Sequence, residues 1–249
     1  MRRNALVTGV SRRAGIGYAI ARRLLDDGVS VSIQGWTPHD ELQSWKAEPG
    51  GTEGVAQELG VPFVEADFAD PEAPAAVVGA ATEALGPLDI LIANHARSGH
   101  GRLADLSAEQ VDAFLHENVR ASLLLVKEFA DRYDDARAGG RVILLTSGQH
   151  LGPMAREVAY AVSKGALQQA TATLADELAP RGITVNTVNP GPTDTGWGLA
   201  DQDPTGPMPL GRWGEPDDAA RLIAWLCSDE ARWITGQTIN SEGGFRRWG

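Results

Sequence analysis

The run Ala159-Tyr160-Ala161-Val162-Ser163-Lys164 places a tyrosine and a lysine four positions apart in a stretch that reads as helix. Four residues make about one helical turn, so the two side chains share a face. A free tyrosine has a pKa of about 10, too high for ready proton exchange near neutrality. A neighbouring ammonium favours the phenolate and lowers that value. A tyrosine tuned in this way gives a proton to a carbonyl oxygen or takes one from an alcohol. Taken alone, the spacing equally fits a surface lysine beside a packed tyrosine. Thirteen positions upstream, Ser147 follows the apolar run Val142 to Leu145. A strand that delivers a hydroxyl to its C-terminal edge, followed by a helix bearing Tyr and Lys, suits carbonyl chemistry on an α/β sheet.

The same alternation extends in both directions. Apolar runs at Ala5 to Thr8, Val29 to Ile33, Pro62 to Glu65, Asp89 to Ala93, Arg141 to Thr146, Thr184 to Val188 and Thr238 to Asn240 read as strands. Helical stretches lie between them. Gly17 to Leu25 stops at Asp27-Gly28, and a short helix is expected around Glu41 to Lys46. Val55 to Leu59 is closed by Gly60, and Asp70-Pro71 is an N-cap pair opening a helix to Leu85. The capping box Ser107-Ala108-Glu109-Gln110 starts a long helix, bent near Asn118, that runs to Tyr133. Glu215-Pro216 opens another helix, to Cys227. Strands alternating with helices predict one α/β domain over residues 1–249: a doubly wound, Rossmann-type parallel sheet of about seven strands with helices on both faces. The residues that draw attention, Gly9, Asp67, Asn94, Ser147 and Pro190, all follow strands, where such a sheet has its ligand crevice. A cofactor half spans about 1–140 and a catalytic half about 141–249, with a Gly/Pro-rich substrate loop at 190–215.

The 249 residues suffice for one large core. A net charge of −11 argues against non-specific binding to nucleic acid or anionic membranes. Cys227 is the only cysteine, so no internal disulfide forms. The apolar run after Met1-Arg2-Arg3 is too short for a signal peptide, and no stretch is apolar enough to span a bilayer. The expected location is cytoplasmic. The histidines lack zinc spacing, and no metal site is expected.

Taken together, Thr8-Gly9…Gly15-Ile16-Gly17, the Ser147/Tyr160/Lys164 set, Asn189-Pro190-Gly191 with Thr195, and the tail Ile234-Thr235-Gly236-Gln237…Glu242-Gly243-Gly244 resemble the short-chain dehydrogenase/reductase family over almost the whole chain. The likeness extends to its beta-ketoacyl carrier-protein reductases. The resemblance implies that Ser147 orients the substrate oxygen and that Tyr160 is the acid or base. It implies that Lys164 lowers the Tyr pKa and binds the nicotinamide ribose, and that Asn118 carries a relay water to Lys164. It implies a homotetramer paired through the long helices and the tail near Phe245, and a small carbonyl or alcohol substrate. Two other readings on the same fold are an idle NADP-binding regulator and a dehalogenase relative. The first class generally loses Tyr or Lys, and the second replaces the lysine by Arg.

The loop Gly9-Val10-Ser11-Arg12-Arg13-Ala14-Gly15-Ile16-Gly17 is expected to bring its backbone and a helix N-terminus to a pyrophosphate. It is two residues longer than the family's usual loop. Asp67-Phe68 resembles the adenine-contacting acid; a turn residue is the other reading. Ala93-Asn94-His95-Ala96 resembles the family's Asn-Asn-Ala-Gly but keeps only Asn94, which braces the strands or touches ribose. His95 is either a crevice wall or a packing residue. Pro190-Gly191-Pro192-Thr193-Asp194-Thr195 is expected to hold the nicotinamide carboxamide. Gln149, Met154 and Trp197 are candidates for the substrate pocket, and Trp197 equally fits a loop anchor. Strand two ends Ile33-Gln34-Gly35-Trp36 with no carboxylate before Asp40, so no negative charge is expected against a 2′-phosphate, and Arg12 and Arg13 stand in the neighbouring loop. The expected cofactor is therefore NADP(H) rather than NAD(H).

Overall fold

Seven parallel strands form one sheet in the order β3-β2-β1-β4-β5-β6-β7 in the computed structural model, which describes residues 2–137, 139–196, 199 and 201–248. The strands are β1 (Asn4–Val7), β2 (Ser30–Gly35), β3 (Phe63–Glu65), β4 (Ile90–Ala93), β5 (Gly140–Leu145), β6 (Ile183–Asn189) and β7 (Thr238–Asn240). The central strands are buried along their length, which is why they read as unbroken apolar runs. Alternate residues serve opposite faces. Ala5 and Val7 of β1 join a core under helices α1 (Ile16–Asp26), α3 (Gly51–Leu59) and α8 (Pro216–Cys227). Leu6 joins the other core, under α4 (Ala73–Leu85), α6 (Ala121–Arg132) and α7 (Val158–Leu178). The chain winds outward from β1 to β3 and returns to β4 on the other side of β1, so the crevice opens at the C-terminal ends of β1 and β4.

Helix α3 begins at Gly51 instead of Val55, and the starts or caps of three other helices also differ in detail. Helix α2 (Thr37–Leu42) begins directly after β2, with Pro38 in its first turn, instead of around Glu41. That advance turns Asp40 inward, where it is buried. Helix α4 begins at Ala73, because the Asp70 carboxylate first accepts from the Glu72 N–H at 2.9 Å and closes a turn of its own. Ser107 caps α5 (Ala108–Phe114) by accepting from the Gln110 N–H, but the Gln110 side chain donates to the His100 carbonyl, so only half of the capping box forms. The bend foreseen near Asn118 is a π-type turn over Leu115–Arg120 between α5 and α6. Such a turn widens the helix by a residue and commonly sits at a functional position.

Candidate functional site

Helix α7 crosses the C-terminal end of β5 with Ala159, Ser163, Lys164 and Leu167 on its buried face. Lys164 is 2% exposed, and its Nζ donates to the Leu145 carbonyl at 2.9 Å. The Thr146 hydroxyl donates back to the Lys164 carbonyl at 2.8 Å. One turn earlier stands Tyr160, its ring centre 5.8 Å from the Lys164 ammonium, with Ser147 hydrogen-bonded to its hydroxyl. Burial pushes the Tyr160 phenol up to about 12; the Ser147 hydrogen bond pulls the other way, and Glu157 adds to the rise. Burial draws Lys164 down to about 8. Burial thus raises Tyr160, and the Lys164 ammonium is aimed at the Leu145 carbonyl.

Asn118 is fully buried in the π turn. Its Oδ1 accepts from the Arg97 N–H at 2.6 Å, while Nδ2 donates to the Arg97 carbonyl at 3.0 Å and the Ser163 hydroxyl at 2.9 Å. Its carbonyl accepts from Ser122 at 2.7 Å. The side chain thus ties the segment after β4 to α7 next to Lys164. Gln149 braces the Ser147 turn: its Oε1 accepts from the Ser147 N–H at 3.2 Å, and its amide nitrogen reaches Gln168 at 2.9 Å. Met154 is half-buried, its carbonyl accepting from the Glu157 N–H at 3.0 Å. Trp197 lies outside the described residues.

A cleft of about 260 Å³ runs along the strand ends. Gly9, Ser11, Arg12, Gly15 and Ile16 form its floor, with Trp36 at one end and Asn94, His95 and Ala96 opposite. Asp67 and Phe68 wall it after β3, and Thr195 closes it from the loop after β6. Gly9 has φ +70°, and a Cβ there would stand 2.7 Å from the His95 Cα. Gly17 packs behind the floor, where a Cβ would stand 2.6 Å from the Asn94 amide nitrogen. That amide in turn donates to the Thr8 and Gly9 carbonyls at 3.0 Å each. No side chain caps the N-terminus of α1. A glycine floor against an uncapped helix end fits a dinucleotide pyrophosphate. The loop after β6 is held by its own bonds: Gly191, at φ +69°, donates to the Asn189 carboxamide oxygen at 3.0 Å, and Thr193 bonds the Pro190 and Gly191 carbonyls.

The two loop arginines separate. Arg13 turns away, its guanidinium paired with Glu48 at 2.5 Å and Glu58 at 2.6 Å, so it does not line the cleft. Arg12 lies in the wall over the Trp45 ring at 4.3 Å, 3.6 Å from Asp40, donating to the Thr195 carbonyl at 2.9 Å. The expectation that no carboxylate approaches this end is also corrected: α2 carries Asp40 into the cleft wall, where it accepts from the Trp45 indole at 2.9 Å. Asp40, His39 and Trp45 were not legible as site residues. The Thr37-Pro38 helix start directly after β2 was the signal for them.

His95 lines the cleft but has both ring nitrogens engaged inside the protein. Nε2 lies 3.1 Å from the Glu117 carbonyl, which can only accept, so Nε2 carries the proton and Nδ1 accepts from the Thr8 hydroxyl at 2.8 Å. Phe68 packs on the ring at 4.2 Å. Burial, aided by the charge of Lys164, pulls its pKa down to about 3, so it is neutral. The cleft wall stops short of Tyr160 and is joined to it through Arg97, which pairs with Glu117 at 2.6 Å and covers Phe114 at 5.9 Å; Phe114 meets the Tyr160 ring edge-on at 6.3 Å. No group of side chains suited to a metal ion occurs among the described residues, and no described helix is long and apolar enough to cross a membrane.

A doubly wound sheet with a glycine-floored crevice and a Ser, Tyr and Lys at its rim defines a class of dinucleotide-binding oxidoreductases. A family model described as enoyl-(acyl carrier protein) reductase matches residues 9–246. The chain belongs to the short-chain dehydrogenase/reductase family. It is 42% identical to the uncharacterized oxidoreductase YjdA of Bacillus subtilis, covering 98% of this chain and 96% of that protein. It is 34% identical to the cyclic-di-GMP-binding biofilm dispersal mediator protein of Escherichia coli, covering 98% and 97%. Among solved structures, a short-chain dehydrogenase from Burkholderia cenocepacia in complex with NADP superposes with a TM-score of 0.83 at 36% identity, over 97% of each chain.

Proposed function

We propose that this protein is an NADP(H)-dependent oxidoreductase that interconverts a ketone, with β-ketoacyl compounds as the leading class, and the corresponding secondary alcohol. One observation carries the reading: the Tyr160 hydroxyl meets Ser147 at the end of β5, with the Lys164 ammonium buried beside it. Ser147 orients the substrate oxygen. Tyr160 gives it a proton in reduction and takes one in oxidation. With its pKa at about 12 the phenol is fully protonated near neutrality, which suits the acid role. Lys164, still charged below about pH 8, stabilises the phenolate left behind.

The nicotinamide, when bound, supplies the hydride. Gly9, Ser11, Gly15, Ile16 and the first turn of α1 would hold its pyrophosphate. Asp67 and Phe68 would flank the adenine, Asn94, Ala96 and Lys164 the ribose side, and the Pro190 to Thr195 loop the carboxamide. Arg12 is the cation available to a 2′-phosphate, and the NADP complex of the Burkholderia relative supports that choice. The retained Ser147, Tyr160 and Lys164 favour turnover over an idle regulator.

We place the protein in the cytoplasm as a homotetramer. Val162 on α7 and Leu123 on α6 are exposed apolar residues on the two long helices that would pair, and light scattering that returned a monomer would refute that assembly. A panel of ketones and β-ketoesters followed at NADPH absorbance tests the activity. Turnover of none of them would sink it.

A further inference from the structure

The tail after β7 folds back over the strand ends and makes contacts that the reading above does not use. Glu242 sits at the centre of them. Its Oε1 accepts from the Asn189 amide at 2.7 Å, at the end of β6, and the same Asn189 receives the Gly191 N–H at 3.0 Å. Arg247 closes a two-pronged pair on Glu242, with Nη1 to Oε2 at 2.8 Å and Nη2 to Oε1. The side chains are 16% and 8% exposed. Burial pushes the Glu242 carboxyl up, but hydrogen bonds from Arg247 and Asn189 outweigh it and hold the group below its ordinary value. The pair is therefore ionised at neutrality.

Three glycines record how closely this pair is built against the working loops. A Cβ on Gly191 would stand 2.7 Å from the Glu242 Cα. A Cβ on Gly148, the residue after Ser147, would overlap the Arg247 guanidinium, and one on Gly152 would stand 2.6 Å from the Arg247 Cδ. Asn189, Glu242 and Arg247 thus form a polar brace across the ends of β5, β6 and β7. One end holds the loop that begins at Pro190. The other end packs against Gly148 and Gly152 in the turn that carries Ser147.

We propose that Arg247, held by Glu242, is a positioning residue that fixes the Ser147 turn relative to the loop after β6, and so sets where the substrate oxygen lies against the nicotinamide. This rests on the oxidoreductase reading. Orientation of reacting groups is worth large factors, and displacements of about 1 Å can cost up to about 10²-fold in rate. A two-pronged, partly buried ion pair holds the guanidinium in one place, and breaking it leaves a half-buried charge without its partner.

The test uses the full-length protein with NADPH and ethyl acetoacetate, a β-ketoester. Arg247→Ala should lower kcat about tenfold, with the Kd for NADPH, read by fluorescence, within about twofold of wild type. Gly148→Ala adds a methyl where the guanidinium lies, displaces Arg247 and should reproduce that loss. The double variant should be no worse than either single, because both remove one contact. Arg247→Lys, which keeps the charge but not the fork, should recover part of the rate. Hydrogen exchange on the cofactor-free protein gives a readout without turnover: Arg247→Ala should speed exchange at residues 148–152 and leave α1 unchanged. Additive losses in the double variant, a fall in NADPH affinity matching the fall in kcat, or unchanged exchange at 148–152 would each overturn the proposal. If wild type reduces no carbonyl compound, the functional reading fails, while the exchange arm still decides whether the brace holds the turn.

Discussion

The guanidinium of Arg12 and the main-chain carbonyl of Thr195 meet at 2.9 Å across the mouth of the cleft, although 183 positions separate them. Arg12 comes from the lengthened glycine loop and Thr195 from the loop after β6. The same guanidinium is stacked on Trp45 and faces Asp40. Burial pulls the Arg12 pKa below its ordinary value, with Asp40 and Glu48 opposing, yet an arginine stays charged at any working pH. A partly buried, oriented Arg12 at the cleft wall contrasts with Arg13, whose half-exposed guanidinium is paired with two glutamates.

Cofactor choice follows from that contrast. A charge-assisted hydrogen bond contributes about 1.5–3 kcal/mol, so kcat/KM should favour NADPH over NADH by at least about tenfold. Arg12→Ala should remove most of that preference with little change for NADH, while Arg13→Ala should leave it within about twofold. Kinetics with both cofactors check this. Equal use of NADH by wild type would refute the assignment of Arg12, and loss of preference in the Arg13 variant would refute the division between the two arginines.

Removing the Tyr160 hydroxyl should cost about 10²–10⁴-fold in kcat, the range of general acid–base catalysis, with cofactor affinity and folding nearly intact. Steady-state rates and NADPH titration of Tyr160→Phe measure both. More than a tenth of the wild-type kcat in that variant would remove Tyr160 from the acid role.

In the cofactor-free protein Tyr160 should ionise near pH 12 and Lys164 near pH 8. The ultraviolet phenolate signal of wild type minus that of Tyr160→Phe isolates the tyrosine. The lysine has a stability consequence. Its folded pKa lies below the unfolded value of about 10.4, so the unfolded chain binds more protons between pH 8 and 10.4 and this group's contribution rises with pH there. Tyr160 acts in the opposite direction between about pH 10 and 12, where the folded state holds the proton. A difference signal with a midpoint at or below pH 8 would mean that Lys164, and not burial, governs Tyr160.

His95 should make the protein acid-sensitive. Its folded pKa of about 3 is depressed below 6.5, so the unfolded state takes up a proton first and stability falls as pH drops from 6.5 towards 3. The slope from this one group approaches about 1.4 kcal/mol per pH unit. His95→Ala should lower Tm at pH 7 by loss of packing, yet flatten the decline of Tm between pH 6.5 and 4. A variant whose Tm falls as steeply as wild type would show that His95 does not carry the acid sensitivity.

The seven strands, the helices between them and the placing of Ser147, Tyr160 and Lys164 were legible in the chain because each depends on local pattern. Apolar runs of strand length, glycine stops and a four-residue Tyr–Lys spacing carry their geometry with them. The bend at Asn118 was legible as well, although its form, a π turn held by Arg97 and Ser163, depends on partners from β4's loop and α7.

Properties that depend on distant partners were settled only by tertiary structure. Arg12 and Arg13 are adjacent and chemically identical, yet one faces the cleft and the other two glutamates, because α2 brings Asp40 to one side of the loop while the segment after it brings Glu48, and α3 brings Glu58, to the other. Asp40 looked remote from strand two until the early start of α2 turned it inward. Tyr160 and Lys164 share a helical face by sequence, but the sign of their pKa shifts comes from how much solvent the packed sheet removes. Local pattern sets which residues share a turn or a face; desolvation and pairing across the fold set the charge each carries and the direction it points.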